Sequence, residues 1–394
     1  MITSDSSRQK RRPSAKAAGF TESVIREMTR LALASGAVNL AQGFPDFPAP
    51  KELKQAGCDA ISRDINQYAI TWGSQELRTA IAEKVSRFNG MDFNPETEIT
   101  VTCGSTEAMC AAMVALVDPG DEVIVVEPFY ENYGPDTIIS GAVPRFVTLG
   151  PDWRLDPDDL SAAFSQKTRA IVLNTPNNPA GRVFTRGELV VVRDLCLDHD
   201  VLAFTDEIYE HIVYDGNKHV SIGSLDGMHD RTVTINSFSK TYSVTGWRVG
   251  YALASVELTD PIRKVHDFLT VGAPAPLQHA CVTALRLPDS YYRKLALDYD
   301  ERRRLLYRGL LNAGFVCTLP EGAYYIMAAL PGLRGDDTDI ARALIRECGV
   351  AAVPGSSFYH DGGGTQLRFT FSKQLETLRE ACRRLEGGIG SLYG

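Results

Sequence analysis

Hydrophobic positions between residues 99 and 254 form short β-branched runs that alternate with helix-like segments. The predicted strands are residues 99–103, 122–126, 145–148, 170–173, 202–206 and 232–236. Between them, apolar residues recur at three- and four-residue spacing, which predicts helices such as 106–116 and 188–197. Strands that alternate with helices are typical of a parallel sheet covered on both faces. The pattern therefore predicts a large, doubly wound α/β lobe with a mostly parallel sheet.

The chain after about residue 290 has a different pattern. A stretch rich in Leu and Arg, residues 291–311, predicts a long helix that leaves the large lobe. Strand-like segments at 325–328 and 367–371 then mix with helix-like segments at 341–346 and from Leu375 onward, which predicts a smaller α+β domain. The predicted division is a flexible arm at residues 1–19, a small domain from 20–50 and 290–394, and a large domain at 51–289.

Composition favours an enzyme that acts on small molecules over a nucleic-acid-binding protein or a membrane protein. The 394 residues carry a formal net charge of -8, whereas nucleic-acid binding normally leaves a basic surface, so no nucleic-acid partner is expected. No apolar run approaches the roughly 18 residues of a membrane helix, so no membrane association is expected either. The eight cysteines show neither disulfide density nor metal-type spacing. These features predict a cytoplasmic enzyme.

Basic residues and serines dominate the first segment of the chain. Arg8, Lys10, Arg11, Arg12 and Lys16 lie beside several serines, a composition shared with transit peptides. A flexible basic arm is the other interpretation, and the one that we adopt.

A lysine among hydroxyl groups follows the last predicted strand of the large lobe. Residues 237–248 read Ser-Phe-Ser-Lys-Thr-Tyr-Ser-Val-Thr-Gly-Trp-Arg, which places Arg248 eight positions after Lys240. An amine must be partly deprotonated to attack a carbonyl, and a nearby cation favours that state. Taken alone, a lysine after a strand is usually a solvated loop residue.

A possible anion site follows the first strand. Residues 101–108, Val-Thr-Cys-Gly-Ser-Thr-Glu-Ala, end a strand in a glycine and begin a helix with two hydroxyl residues. Free backbone N–H groups and the positive end of the helix dipole suit a phosphate. An ordinary N-cap explains the same residues equally well.

Polar and aromatic residues follow three further strands, and one arginine lies in a late alternating segment. Glu-Pro-Phe-Tyr at 127–130 offers an aromatic face, Asn-Thr-Pro-Asn-Asn-Pro at 174–179 a turn, and Thr-Asp-Glu-Ile-Tyr at 205–209 a carboxylate. Arg368 lies amid apolar neighbours and needs an anion, either within the protein or from a ligand. Ligands of open parallel sheets bind beyond the carboxyl ends of the strands, where most of these residues are expected.

Together these segments resemble the class I/II aminotransferases, the aspartate aminotransferase superfamily of fold type I, over nearly the whole chain. The resemblance implies pyridoxal 5'-phosphate bound as a Schiff base to Lys240. It implies phosphate contacts from Ser105, Thr106, Ser237 and Arg248, and ring contacts from Tyr130, Asn178, Asp206 and Tyr209. Lys240, Asp206 and Tyr209 are the implied catalytic residues. An Asp206 carboxylate beside the pyridine nitrogen would keep it protonated, so that the ring accepts electrons from the α-carbon.

The resemblance also implies substrate contacts and a shared site. Arg368 matches the residue that binds the α-carboxylate, and Gly43, Asn178 and Tyr133 are the further candidates. Tyr68, in Asn-Gln-Tyr at 66–68, matches the tyrosine that reaches the neighbouring subunit's cofactor phosphate, which implies a homodimer. The motifs are most similar to the kynurenine, methionine and aspartate aminotransferase branch. Residues 270–274, Thr-Val-Gly-Ala-Pro, lack the aromatic and histidine of kynurenine members, which argues against an aromatic substrate.

The predicted function is transamination between an L-amino acid and a 2-oxo acid. Carbon–sulfur β-elimination from a cysteine conjugate is the first alternative, because it needs the same residues. A non-catalytic, cofactor-binding regulator is the second. The acidic runs at 198–200 and 336–339 are expected to be solvated helix ends, so no metal is expected.

Overall fold

A computed structural model describes residues 13–333, 335–362 and 366–393. Residues 1–12 of the predicted arm lie outside the described residues. The strands, in chain order, are β1 Val38–Asn39, β2 Ile99–Thr102, β3 Glu122–Glu127, β4 Val143–Thr148, β5 Thr168–Asn174, β6 Leu202–Asp206, β7 Thr232–Ser237, β8 Gly250–Leu253, β9 Val316–Cys317, β10 Tyr325–Ala329, β11 Val350–Ala351, β12 Val353–Pro354 and β13 Gln366–Thr370.

The helices, in chain order, are α1 Ala15–Ala18, α2 Val24–Ser35, α3 Lys51–Ser62, α4 Gln75–Asn89, α5 Ser105–Leu116, α6 Tyr133–Ser140, α7 Pro157–Ala163, α8 Arg186–His199, α9 Val256–Thr270, α10 Ala275–Leu285, α11 Asp289–Asn312, α12 Asp337–Ala343 and α13 Leu375–Gly388. A capping box between Thr185 and Glu188 fixes the start of α8. Among the described residues, no helix is long and apolar enough to cross a membrane.

A seven-stranded sheet in the order β2-β8-β7-β6-β5-β3-β4 forms the centre of the large lobe. The pairs from β7 through β6, β5 and β3 to β4 are parallel, whereas β8 pairs antiparallel with both β2 and β7. The α/β fold class with a mostly parallel sheet is thereby confirmed. The sequence analysis missed β8, because Gly250 and Ala252 carry no β-branched signal. Glycine is required at 250, since a Cβ there would overlap the backbone of Gly104.

Helices cover both faces of this sheet, and apolar side chains of its strands point to each face. Val123 and Val125 of β3 pack in the cluster that contains α5 and α9 residues. Ile124 and Val126 of the same strand pack on the opposite face, with residues of α7 and α8. Because successive side chains point to opposite faces, both must be apolar when helices cover the two sides. The carboxyl ends of the parallel strands consequently meet at one edge.

A second core joins the beginning and the end of the chain. Residues of α2 pack in one cluster with α11, α13 and the antiparallel sheet β12-β13-β10-β9. Strand β1 pairs in parallel with β11, which ties the N-terminal segment to the tail. Ile208 and Tyr209, which follow β6 of the large sheet, pack against the same cluster. The boundaries at residues 50 and 290 stay a prediction.

Candidate active site

A pocket lies where the carboxyl ends of the parallel strands meet the second core. It encloses about 700 Å³, including its open mouth. Most of the residues proposed from the sequence line it, together with several that were not proposed. The lining residues are Ile25, Gln42, Gly43, Ser105, Thr106, Tyr130, Tyr133, Asn174, Asn178, Asp206, Ile208, Tyr209, Ser239, Lys240, Thr245, Arg248, Tyr325 and Arg368.

Lys240 reaches this pocket from the turn that follows β7. Its ammonium donates a hydrogen bond of 3.2 Å to the carbonyl of Gly43. Burial lowers the pKa of Lys240 to about 8; the charges of Arg368 and Arg248 act in the same direction, and Asp206 acts against them. About a tenth of the amine is therefore uncharged at pH 7, far more than for an ordinary lysine, and the uncharged amine is the state that attacks a carbonyl carbon.

Asp206 ends β6 with a buried carboxylate. Burial raises the pKa of Asp206 to about 6, although a hydrogen bond from Tyr133 favours the charged form. That bond runs from the Tyr133 hydroxyl to Asp206 Oδ2 over 2.9 Å. Tyr133 also lines the pocket, so its substrate contact stays a prediction, and its bond to Asp206 is an additional contact that the sequence did not predict. A buried carboxylate of this kind is suited to pair with a cationic ring nitrogen.

Arg368, in β13, is a buried cation without a carboxylate partner in the described part of the chain. Its guanidinium donates to Asn178 Oδ1 over 2.8 Å and to the carbonyl of Ala41 over 2.6 Å. Its guanidinium carbon lies 4.3 Å from the ring centroid of Tyr325 and 4.8 Å from that of Phe358. Its Nε has no partner among the described residues. Since neutral acceptors do not compensate a buried charge, the site is suited to an anion.

An anion cradle lies at the start of α5, whose residues Ser105 and Thr106 line the same pocket. Gly104 precedes α5 with a positive φ of 85°, and Ser105 and Thr106 begin the helix. The Arg248 guanidinium lies beside Gly104, where a Cβ would overlap it, and donates to the carbonyls of Thr245 and Cys103. A guanidinium next to the positive end of a helix is unfavourable unless an anion lies between them. The pair thus fits a phosphate group.

Tyrosines form much of the remaining wall. The Tyr209 hydroxyl lies 3.1 Å from that of Tyr325, and burial raises the pKa of Tyr209 well above its ordinary value. Tyr130 lies edge-on to Tyr133, with 5.9 Å between the ring centroids. Burial raises the pKa of Tyr130 to about 12, so its phenol stays protonated. The pocket therefore offers neutral phenols beside its charged groups.

Two residues that were proposed from the sequence, Ser237 and Tyr68, do not line the pocket of this chain. Ser237 is buried at the end of β7, does not line the pocket, and accepts a hydrogen bond from the backbone of Ser239. Tyr68 is 87% exposed and also lies outside the pocket lining. Their roles as phosphate ligands stay predictions, and that of Tyr68 concerns a second subunit.

Several lining residues were not predicted. Ser239 and Thr245 belong to the lysine segment itself, so its spacing was the available signal. Tyr325 was predicted only as part of a strand, and Ile25 and Gln42 carry no local signal. Their presence depends on how α2 and β10 fold back over the large sheet.

A group of potential metal ligands also lies outside the pocket. Ligand atoms of Glu207, Glu210 and His219 all lie within 4.8 Å of one another. Lys84 pairs with Glu210, and His219 Nε2 lies 2.9 Å from Glu207. These contacts describe a buried ionic network between α4 and the segment after β6.

Comparison with known proteins identifies relatives that match nearly the whole chain. A family model described as aminotransferase class I and II matches residues 35–385. A protein named probable N-succinyldiaminopimelate aminotransferase, from Mycobacterium tuberculosis, is 40% identical over 93% of this chain and 96% of its own length. Human kynurenine–oxoglutarate transaminase 1 is 37% identical over 91% of this chain and 94% of its own.

Solved structures show the same fold. The N-succinyldiaminopimelate aminotransferase structure from M. tuberculosis matches with a TM-score of 0.93 and 39% identity, covering 95% of this chain and 100% of that one. The YbdL structure from Escherichia coli, described as having a methionine aminotransferase function, matches with a TM-score of 0.92 and 35% identity, covering 96% and 100%. The motifs indicated the branch of the kynurenine and methionine aminotransferases, and both names occur among these relatives. The motifs did not predict a relative that acts on N-succinyldiaminopimelate.

Proposed function

Since the chain belongs to the class I and II aminotransferases and is a transaminase of fold type I, we propose that it binds pyridoxal 5'-phosphate in this pocket, covalently at Lys240. The observation that carries the proposal is the convergence of a partly uncharged lysine, a buried carboxylate and an unneutralised arginine on one pocket. Lys240 and Asp206 attract each other, but Arg368 has no carboxylate partner among the described residues, so folding alone does not explain why all three groups are buried here.

The two ends of the pocket fit the two ends of such a cofactor. Ser105, Thr106 and Arg248 would hold the phosphate at the start of α5. Asp206 would pair with the ring nitrogen, while Tyr209 and the amide of Asn178 would hydrogen-bond to the ring's phenolic oxygen. The oxygen of the Asn178 amide already accepts from Arg368, which leaves its NH₂ group as the donor for that contact. Tyr130 would stack on the ring.

The chain's own residues would perform the proton transfer. When bound, the cofactor acts as an electron sink for the pair released at the substrate's α-carbon. Arg368 would grip the α-carboxylate with its planar fork and so fix the α-carbon near Lys240. The displaced Lys240 amine, with a pKa of about 8, would take the α-proton and return it to the cofactor's former aldehyde carbon, on the other side of the substrate nitrogen. The pocket would therefore supply the residues that transfer of an amino group from an amino acid to a 2-oxo acid requires.

Reduction of the purified protein tests the covalent site. Borohydride should fix the cofactor on the peptide that contains Lys240, and Lys240→Ala should abolish that adduct while the far-UV circular dichroism stays unchanged. Recovery of the adduct on another lysine would overturn the proposal. Keto-acid formation from kynurenine, methionine and N-succinyldiaminopimelate, each with and without a 2-oxo acid acceptor, would then identify the donor. A cysteine S-conjugate should be included in the same assay, because acceptor-independent release of its thiol together with a 2-oxo acid would instead indicate β-elimination.

We further propose that the active unit is a homodimer with shared sites. An exposed apolar patch lies beside the phosphate end, formed by Tyr68, Ile70, Phe268, Leu269 and Val271. Its two segments are joined by a hydrogen bond between His266 and the carbonyl of Thr71, and the carbonyl of Gly272 accepts from Cys103 next to the cradle. Large apolar side chains clustered on a surface are typical of a protein interface. A twofold partner covering this Tyr68–Phe268 patch would complete the site.

A further inference from the structure

Tyr325 contacts three separate groups of the pocket. It begins β10, where it is 2% exposed, and its side chain lies between Gly43, Tyr209 and Arg368. The register of β10 against β13 pairs Tyr325 with Thr370 and Met327 with Arg368, so the ring and the guanidinium lie on the same face of neighbouring strands. One side chain therefore lies between the ring end and the carboxylate end of the site.

The hydroxyl of Tyr325 determines the direction of a hydrogen bond. It lies 3.1 Å from the Tyr209 hydroxyl, and either atom could be the donor. A phenol carries one proton. If Tyr209 uses its proton on a ligand oxygen, the proton between the two tyrosines must come from Tyr325. Accepting that bond also makes Tyr209 a stronger donor, because hydrogen bonds in a chain polarise one another.

The ring of Tyr325 restrains Arg368. The guanidinium carbon lies 4.3 Å from the ring centroid, with Phe358 at 4.8 Å. A guanidinium held over a desolvated aromatic face is attracted to it and loses rotational freedom. Its planar fork is therefore oriented before a carboxylate arrives.

Gly43 leaves no freedom for the Tyr325 hydroxyl. A Cβ at Gly43 would overlap the hydroxyl and the adjoining ring atoms. The Gly43 carbonyl in turn accepts hydrogen bonds from Lys240 and from Tyr324. The same backbone segment thus confines Tyr325 and contacts Lys240.

We propose that Tyr325 is a positioning residue that acts through both Tyr209 and Arg368: its hydroxyl directs the Tyr209 proton toward the cofactor's phenolic oxygen, and its ring orients the Arg368 fork toward the substrate carboxylate. The inference rests on the proposed function, since it requires the cofactor beside Tyr209.

The test uses the cofactor-loaded enzyme and the pH dependence of its visible absorbance. A bond donated by Tyr209 stabilises negative charge on the phenolic oxygen and so weakens that oxygen's hold on the proton at the Lys240 nitrogen. The pH midpoint is the pH at which half of the Lys240 nitrogens in the loaded enzyme have lost that proton, read from the visible absorbance. Tyr325→Phe removes only the hydroxyl and should raise this midpoint by roughly half a unit, while Tyr209→Phe should raise it further. Tyr214→Phe is the matched control, because its buried hydroxyl donates to Ala323 outside the pocket, and it should leave the midpoint unchanged.

Carboxylate binding tests the ring. The dissociation constant of 4-(methylthio)butanoate, the analogue of methionine without its amino group, measured by absorbance titration, should stay within about twofold for Tyr325→Phe and rise about five- to tenfold for Tyr325→Leu. An unchanged pH midpoint in Tyr325→Phe, with a raised one in Tyr209→Phe, would overturn the role of the hydroxyl and leave the proposed function intact. If neither variant moves the midpoint, the cofactor does not lie beside Tyr209, and the inference falls together with that placement.

Discussion

At the scale of single residues, the site is a set of charges held in unfavourable states. Lys240 and Asp206 have pKa values displaced toward neutrality, both chiefly by burial, and Arg368 is buried against neutral acceptors. A folded chain without a ligand gains no stability from this arrangement. Such perturbed groups concentrate where a ligand or a reaction supplies the missing partner.

The first prediction concerns the Lys240 amine in cofactor-free protein. Labelling of Lys240 by a small amine-specific reagent should reach half its maximal rate near pH 8, compared with a pKa of about 10.4 for an ordinary lysine. Asp206→Asn should move that midpoint to lower pH, because the carboxylate raises the pKa of Lys240. Peptide mass spectrometry after timed labelling measures both. A midpoint near that of ordinary lysines would show that the amine is solvated.

The second prediction concerns Gly43. Gly43→Ala places a methyl group on the Tyr325 hydroxyl, so either the loop or the ring must move. We expect a loss of stability of about 1–3 kcal/mol, in the range of an overpacked core, and a fall in kcat. Chemical denaturation and steady-state kinetics measure the two effects. Gly187→Ala, at an exposed position in the first turn of α8, is the control: it should leave kcat unchanged and should not destabilise the fold, since alanine favours the helix by up to about 1 kcal/mol.

At the scale of elements, most of the large lobe could be predicted from the sequence. Strand β6 was predicted with its observed bounds, and α11 within two residues at its start, because apolar periodicity in long segments is a strong signal. Two-residue strands such as β1 and β11 gave no periodic signal, since their pairing arises from tertiary contact. Asp206 and Arg368 could be proposed because motifs mark them. Tyr325 could not, because its neighbours Gly43 and Tyr209 are distant in sequence.

The third prediction concerns α6, which buries Asp136. Burial raises the pKa of Asp136 to about 8, and its Oδ2 has no partner among the described residues. The folded state therefore binds this proton more tightly than the unfolded chain. Its contribution to stability is fully present below about pH 4 and is lost as pH rises through 8, by at most about 1.4 kcal/mol per unit.

Asp136→Asn should remove this dependence. The variant should be more stable than the parent at pH 8 and above, and equal to it near pH 4, in urea denaturation across that range. Asp158→Asn, an exposed acidic residue in the first turn of α7, is the matched control. Parallel stability profiles for Asp136→Asn and the parent would show that Asp136 is ionised in the folded protein.

At the scale of the whole molecule, the single chain leaves its site open beside an apolar surface. Phe268, in the Tyr68–Phe268 patch, is 92% exposed. Exposure of such a cluster of large apolar side chains to water is unfavourable and is unusual for a monomeric protein. The patch adjoins the phosphate end of the pocket through the contact of Cys103 with Gly272. A partner on this surface would bring its own Tyr68 to the other subunit's cradle, which places one ligand of each phosphate on the opposite chain.

The last prediction tests this exchange with mixed dimers. Tyr68→Phe should weaken cofactor binding about 10- to 100-fold, the effect of one hydrogen bond to a charged group, and Lys240→Ala removes the covalent site. In a hybrid, the Tyr68→Phe chain keeps its Lys240 and receives an intact Tyr68 from the Lys240→Ala chain, so that site should regain the parental cofactor affinity. Mixing Tyr68→Phe with the double variant Tyr68→Phe, Lys240→Ala supplies no intact tyrosine and should give no recovery. If the first mixture also fails to recover although co-purification of two differently tagged chains shows that hybrids form, Tyr68 acts within its own chain and the shared site is excluded.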